Sequence, residues 1–125
     1  MIGGKMDKFI QSKGAFSKEI CIFYIAQLIL VLEFLHSKGW TYRAMSLSNI
    51  YIKENGYISI DGLNKLMKKK SNEGEMFYDI CGLPEDLAPE MILCEGYDES
   101  VDVWGLGLCA YNICLKLIIL LLVIM

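Results

Sequence analysis

Histidine, proline and closely paired cysteine are what this 125-residue sequence has least of. It holds one histidine, His36, and two prolines, Pro84 and Pro89, both within a single turn-rich connection. A lone histidine cannot complete a Cys/His metal site, and the cysteines at 21, 81, 94, 109 and 114 show no close zinc-type spacing, so no metal cluster is expected. The odd cysteine count, with no apolar run behind Met1-Ile2-Gly3-Gly4, argues for reduced thiols in the cytoplasm and against cysteine chemistry as the function. A net charge of −3 gives no basic footprint, and no nucleic acid partner is expected. The sole basic run, Lys68-Lys69-Lys70, reads as a solvated loop. Gly3-Gly4 has neither the spacing nor the preceding strand of a phosphate-cradling loop.

Apolar residues, by contrast, make up 54% of the chain, with the excess in Ile20 to Leu35 and in Leu106 to Met125. The length suits one domain or part of one, burying roughly two-thirds of its unfolded surface. Met6, Phe9 and Ile10 fall at helical spacing, stopped at Gly14. Ser17 is a helix cap and Glu19 suits the positive end that follows. From Ile20 to Leu35 nearly every face is apolar; the run is short of the roughly 20 residues that span a bilayer, so it reads as a wholly buried helix. His36, satisfying late carbonyls, closes it with Lys38 and Gly39.

From Trp40 to Leu63 the pattern is a polar loop, Tyr42 to Asn49, then two short strands joined by Lys53-Glu54-Asn55-Gly56, a strong hairpin signal. Lys65 to Tyr78 reads as a mobile loop, followed by a short helix from Pro89 to about Cys94, ended by Gly96. Ser100 caps a last helix near Val101, with Trp104, Leu106, Leu108 and Tyr111 available to pack on the Ile20–Leu35 helix. Leu106 to Met125 is long enough to cross a bilayer, with Lys116 as the main objection, since a mid-span Lys costs about 2.5–3.5 kcal/mol. Packing to about Leu115, with Leu117 to Met125 as an apolar overhang, is the preferred reading. The fold class expected is mainly α with a small β-hairpin (α+β).

Phe16-Ser17, Phe23-Tyr24, Leu35-His36-Ser37, Tyr42-Arg43, Ala88-Pro89-Glu90, Gly96-Tyr97 and Val101-Asp102-x-Trp104 fall in an order and spacing that resembles the C-terminal, larger lobe of a cyclic-nucleotide-dependent (AGC) Ser/Thr protein kinase. The resemblance implies an incomplete kinase-like lobe over 1–115 and an apolar tail over 116–125, with the small lobe expected ahead of residue 1. Such kinases use ATP and Mg²⁺ and rely on positioning and charge. The position of the proton-accepting Asp is Ala44, and that of the γ-phosphate Lys is Ser46. Asn49 stands where a metal ligand is expected. Counted without gaps, the Asp-Phe-Gly turn falls on Gly62-Leu63-Asn64, and Asp61 would serve as a ligand only after a one-residue slip of the strand.

The resemblance also implies that the acidic substrate-binding positions are Lys5, Ser48 and Asn112, and that a Thr of the activation segment is Leu83. The phosphorylated position falls on Asp79, with Arg43 as its expected partner. Asp102 is expected to reach back to the Tyr42-Arg43 backbone, and Glu90 to lack the Arg it pairs with in the family. The function expected is that of an inactive pseudokinase fragment, with ATP and Mg²⁺ entering by resemblance only. The alternatives left open are a non-enzymatic docking module for a protein partner, membrane-attached through residues 106–125, or a piece of a longer active kinase.

Overall fold

The computed structural model describes residues 4–13, 16–63 and 68–124, without the side chains of 116–121. About half of the chain is helical, and the strands are short and antiparallel. Helix α1 (Met6–Lys13) buries Met6 completely against the chain's main core. Helix α2 (Lys18–Ser37) starts at Ser17, whose side-chain oxygen accepts the Ile20 N–H. It ends at Lys38, with Gly39 beyond it at φ 80°, a shape that costs glycine little.

One stripe of α2 is buried, formed by Cys21, Tyr24, Leu28, Leu32 and Leu35 at steps of three and four. Ile22, Ile29, Leu30 and Phe34 are exposed on the other side. The expectation of a wholly buried helix is therefore corrected. The apolar run lies in a helix of 20 residues, long enough to cross a membrane by length and composition alone. Its packed stripe builds the core here.

Strand β1 (Trp40–Thr41) leads into the polar loop, and Leu47–Asn49 form one 3₁₀ turn. Strands β2 (Ile50–Ile52) and β3 (Ile58–Ile60) pair in the register Ile50 to Ile60, Tyr51 to Ser59 and Ile52 to Ile58. In the connection between them Gly56 takes positive φ, 84°, and its N–H bonds the Lys53 carbonyl. The Gln27 amide oxygen accepts the Ile58 N–H at 3.0 Å, so a polar residue of α2 fixes the hairpin.

Lys68 and Lys69 form strand β4 (Lys68–Lys69), which returns to pair with β1. That corrects the solvated-loop reading, and Lys68 and Lys69 stand over the rings of Phe77 and Trp40. Residues 65–67 of the expected mobile loop lie outside the described residues. A 3₁₀ turn (Pro84–Asp86) and helix α3 (Pro89–Ile92) precede the last helix, α4 (Ser100–Ile124).

Helix α4 buries Val101 and Asp102 in its first turn, then Gly105, Cys109 and Ile113 at steps of four. Trp104 and Tyr111 are exposed instead of packing on α2, and Leu108 is only half-buried; Leu106 packs as expected. The reason is steric. A Cβ on Gly105 would come within 2.8 Å of the Cβ and the carbonyl oxygen of Met45, so the helix meets the loop through its side-chain-free face. Leu122, Val123 and Ile124 are exposed at the far end; the rest of the expected overhang lies outside the described side chains.

The one-sided burial of α2 makes a prediction. Leu28→Ala, at a fully buried position, should cost about 2–5 kcal/mol, while Leu30→Ala, 63% exposed, should stay within about 0.5 kcal/mol. Urea unfolding of both variants checks this. Equal losses would mean that the outer face is covered in solution.

Candidate functional site

The loop from Tyr42 to Asn49 is held at its head by one carboxylate. Asp102, in the first turn of α4, is 1% exposed. Its Oδ2 accepts the Tyr42 N–H at 2.8 Å, and its Oδ1 accepts the Arg43 N–H at 2.8 Å. His36 Nε2 lies 2.7 Å from Asp102 Oδ2. The expectation that His36 serves late helix carbonyls is thus corrected: it joins the end of α2 to the start of α4. Arg43 takes φ 59°, a left-handed shape rare outside glycine, and the two backbone bonds to Asp102 hold it there. Tyr42 is fully buried, and its hydroxyl donates to the Asp61 carbonyl.

Behind this head, a cavity of about 260 Å³ is lined by Ala44, Met45, Asn49, Cys81, Leu87 and Met91 among others. Ala44 offers only a methyl group. Ser46 caps the 3₁₀ turn by accepting the Ser48 N–H, and its hydroxyl lies 3.1 Å from that of Ser48. Burial raises the Asp86 carboxyl from its ordinary value, and the nearby Ser46 hydroxyl opposes that shift. Asn49 Nδ2 donates to the Ala44 carbonyl at 2.9 Å, which ties the two ends of the loop together.

Asp61 and Gly62 divide the ladder's end between them. The Asp61 N–H bonds the Asn49 carbonyl at 2.8 Å, extending the unslipped register. Its side chain belongs to an exposed residue and accepts the Gly62 N–H at 2.7 Å. Gly62, at φ 80°, is the residue that faces inward: a Cβ there would sit 3.3 Å from Ala44 Cβ and 3.9 Å from Asn49 Cγ. Asn64 lies outside the described residues.

This donor set does not suit a nucleotide-bound Mg²⁺, which asks for hard oxygen ligands and usually one or two carboxylates. Ala44 and Gly62 carry no side-chain oxygen, and the amide nitrogen of Asn49 is already committed to the Ala44 carbonyl. One neutral amide oxygen remains at the meeting point of these residues.

A second cluster lies on the other side of Arg43. Its Nη1 donates to Asp79 Oδ2 at 2.6 Å and to the Tyr97 hydroxyl at 2.9 Å. Lys68 Nζ reaches Asp79 Oδ1 at 3.1 Å, and the Tyr97 hydroxyl donates to the Asp79 carbonyl. The Arg43 bond, joined by Lys68, holds the Asp79 carboxyl well below the usual carboxylate range. Phe77 and Tyr97 bridge through their backbones and join a second buried cluster with Ala88, Met91 and Val101.

Of the remaining expected residues, Leu83 lines the cavity beside Ala44 and Asn49. Lys5 bridges Tyr51 at the edge of the hairpin, Leu83 is exposed, and Asn112 Nδ2 donates to the Leu108 carbonyl. Glu90 accepts a long bond, 3.5 Å, from Ser100. His36, Lys68 and Tyr97 were not singled out as site residues by the sequence.

Residues 1–121 match the family described as protein kinase domain. The chain is 39% identical over 118 residues to the serine/threonine-protein kinase SCH9 of Saccharomyces cerevisiae, covering 91% of this chain and 14% of that protein. It is 33% identical over 110 residues to the human cAMP-dependent protein kinase catalytic subunit PRKX, covering 88% of this chain and 30% of that protein. To the human RAC-beta serine/threonine-protein kinase it is 34% identical over 110 residues, 23% of that protein. The chain thus spans less than a third of the length of these relatives. With motif order, site geometry and relatives in agreement, the chain belongs to the protein kinase domain family and groups with its AGC serine/threonine kinases.

Proposed function

We propose that residues 1–115 form the larger, helical lobe of an AGC-type kinase fold, and that this chain binds a protein partner without transferring phosphate by itself. One observation carries the reading. Ala44 and Gly62 meet at the mouth of the loop; the family resemblance makes them the positions where the chemistry needs carboxylates, and neither has a side-chain oxygen to offer. A substrate hydroxyl near Ala44 has no base to take its proton, a role typically worth about 10²–10⁴-fold in rate. Ser46, tied to Ser48, is a short neutral side chain where a cation would steady a phosphate. A lobe with a prebuilt loop and an apolar overhang at 116–125 keeps the means to dock while lacking the means to turn over.

The Asp79 cluster supports a second part of the reading. A fixed carboxylate, held by Arg43 and Lys68, keeps the segment before Cys81 against the body of the chain without phosphorylation.

Two outcomes are expected. The purified chain should transfer no phosphate from ATP to a basic peptide above a no-protein blank, and Ala44→Asp should leave that result unchanged, because Gly62 and Ser46 remain. Transfer that Ala44→Asp increases would overturn the proposal. Asp79 concerns stability. Its carboxyl is depressed in the folded state, so its contribution is complete above the ordinary carboxylate range and fades as pH falls through the lower folded value. Asp79 is half-exposed, so Asp79→Asn should cost at most about 1 kcal/mol at neutral pH. The gap between Asp79→Asn and the parent should close as pH drops from about 5 toward about 2, read from urea midpoints. A gap that does not change with pH would remove charge from the explanation.

A further inference from the structure

Another cavity, of about 410 Å³, is lined by the end of α2, strand β1, the stretch from Lys69 to Gly74, and Glu99 just ahead of α4. It shares no lining residue with the cavity beside Ala44, so its occupant is independent of the catalytic reading. Thr41 lines it and is 1% exposed, yet the Thr41 hydroxyl oxygen has no hydrogen-bond partner among the described residues. Buried hydroxyls are almost always paired, with protein, water or an ion, so this one asks for a partner. Lys38, Lys69 and Lys70 line the same cavity against Glu73 and Glu99, an excess of one positive charge. We propose that this cavity binds a phosphate-type oxyanion, with the Thr41 hydroxyl donating to one of its oxygens and Lys70 supplying the facing charge.

The other classes of occupant fit less well. An apolar ligand would leave the Thr41 hydroxyl unpaired. A metal ion would need several anionic or imidazole ligands, and no group of three such side chains gathers among the described residues. The two carboxylates of the wall do not forbid an anion. Glu99 is paired with Lys70, whose side chain is mostly buried. An ammonium carries three donors, so the bond to Glu99 leaves two for a ligand. Glu75, at the end of the same turn, is taken up by the N–H groups of Ser71 and Asn72. Glu73 then stands against Lys69, whose Nζ lies 5.7 Å from the centre of the Trp40 ring, and Lys38. A hydroxyl that can rotate and a charged amine suit an acceptor-only group with several oxygens, which is what a phosphate offers. The volume lies within the roughly 300–1,000 Å³ of small-molecule sites, room for a phosphate and the group that carries it.

The test melts the full-length chain with millimolar inorganic phosphate, with O-phosphoserine, and with sodium chloride at matched ionic strength. Binding to the folded chain raises the midpoint, so phosphate should lift it by several degrees over chloride. A rise with both ligands means that the phosphate group alone is recognised, and a rise with O-phosphoserine alone assigns the site to a monoester. Thr41→Val separates a ligand site from a hydroxyl that water satisfies. It replaces an unpaired buried hydroxyl by a methyl group of the same shape, so without phosphate its midpoint should equal or exceed that of the parent, and the phosphate rise should vanish. Lys70→Met should weaken phosphate binding about tenfold or more, read by calorimetry, while Lys53→Met, outside the cavity, should leave it unchanged. Should Thr41→Val fail to fold by circular dichroism, the Lys70→Met and Lys53→Met pair carries the test. No rise over chloride with either ligand, a rise that survives Thr41→Val, or equal binding by Lys70→Met and the parent overturns the proposal.

Discussion

A carboxylate with almost no access to water is an expensive group unless its oxygens are occupied, and Asp102 is such a group. Three donors converge on it: the imidazole of His36 and the backbone N–H groups of Tyr42 and Arg43. One comes from the end of a helix and two from the loop. Arg43 is held in a left-handed shape, which turns its side chain toward Asp79 and Tyr97. Tyr42, fixed by the same carboxylate, reaches on to the carbonyl of Asp61 at the end of the hairpin. The hairpin, the loop, both long helices and the Asp79 segment therefore depend on one buried charge.

Along that framework, positions 44 and 62 carry no side-chain oxygen. Asp102, Tyr42, Asn49 and Arg43 all make the bonds that give the loop its shape. Ala44 and Gly62 lie where the loop and hairpin end come together, and small residues there allow a close approach that two carboxylates would resist by charge. Geometry and chemistry are separable in this chain because they rest on different side chains. Backbone bonds to Asp102 do not ask what stands at position 44.

Local signals explain what the sequence made legible. Ser17 caps its helix, the hairpin forms around Gly56, and α3 opens on Pro89, each decided by residues within a few positions of one another. The phase of α4 was not legible, since a helix apolar on every face has no periodicity to read. Size chose its buried side, with Gly105 against Met45. His36 and Asp102 are 66 residues apart, and nothing near His36 announces the partner. The lysine run looked solvated because charge suggests water, yet aromatic faces and carboxylates take up those side chains.

Core neighbours ordinarily trade volume, one growing as the other shrinks, so that sequences drift without loss of packing. The contact between α4 and the loop does not allow that exchange. Shortening Met45 would clear only its side chain from the space beside Gly105, because the Met45 carbonyl oxygen lies at the same 2.8 Å from a Cβ there. No choice of residue at 45 opens room at 105. In any descendant that keeps this helix crossing, position 45 is free to vary among apolar side chains while position 105 is restricted to glycine.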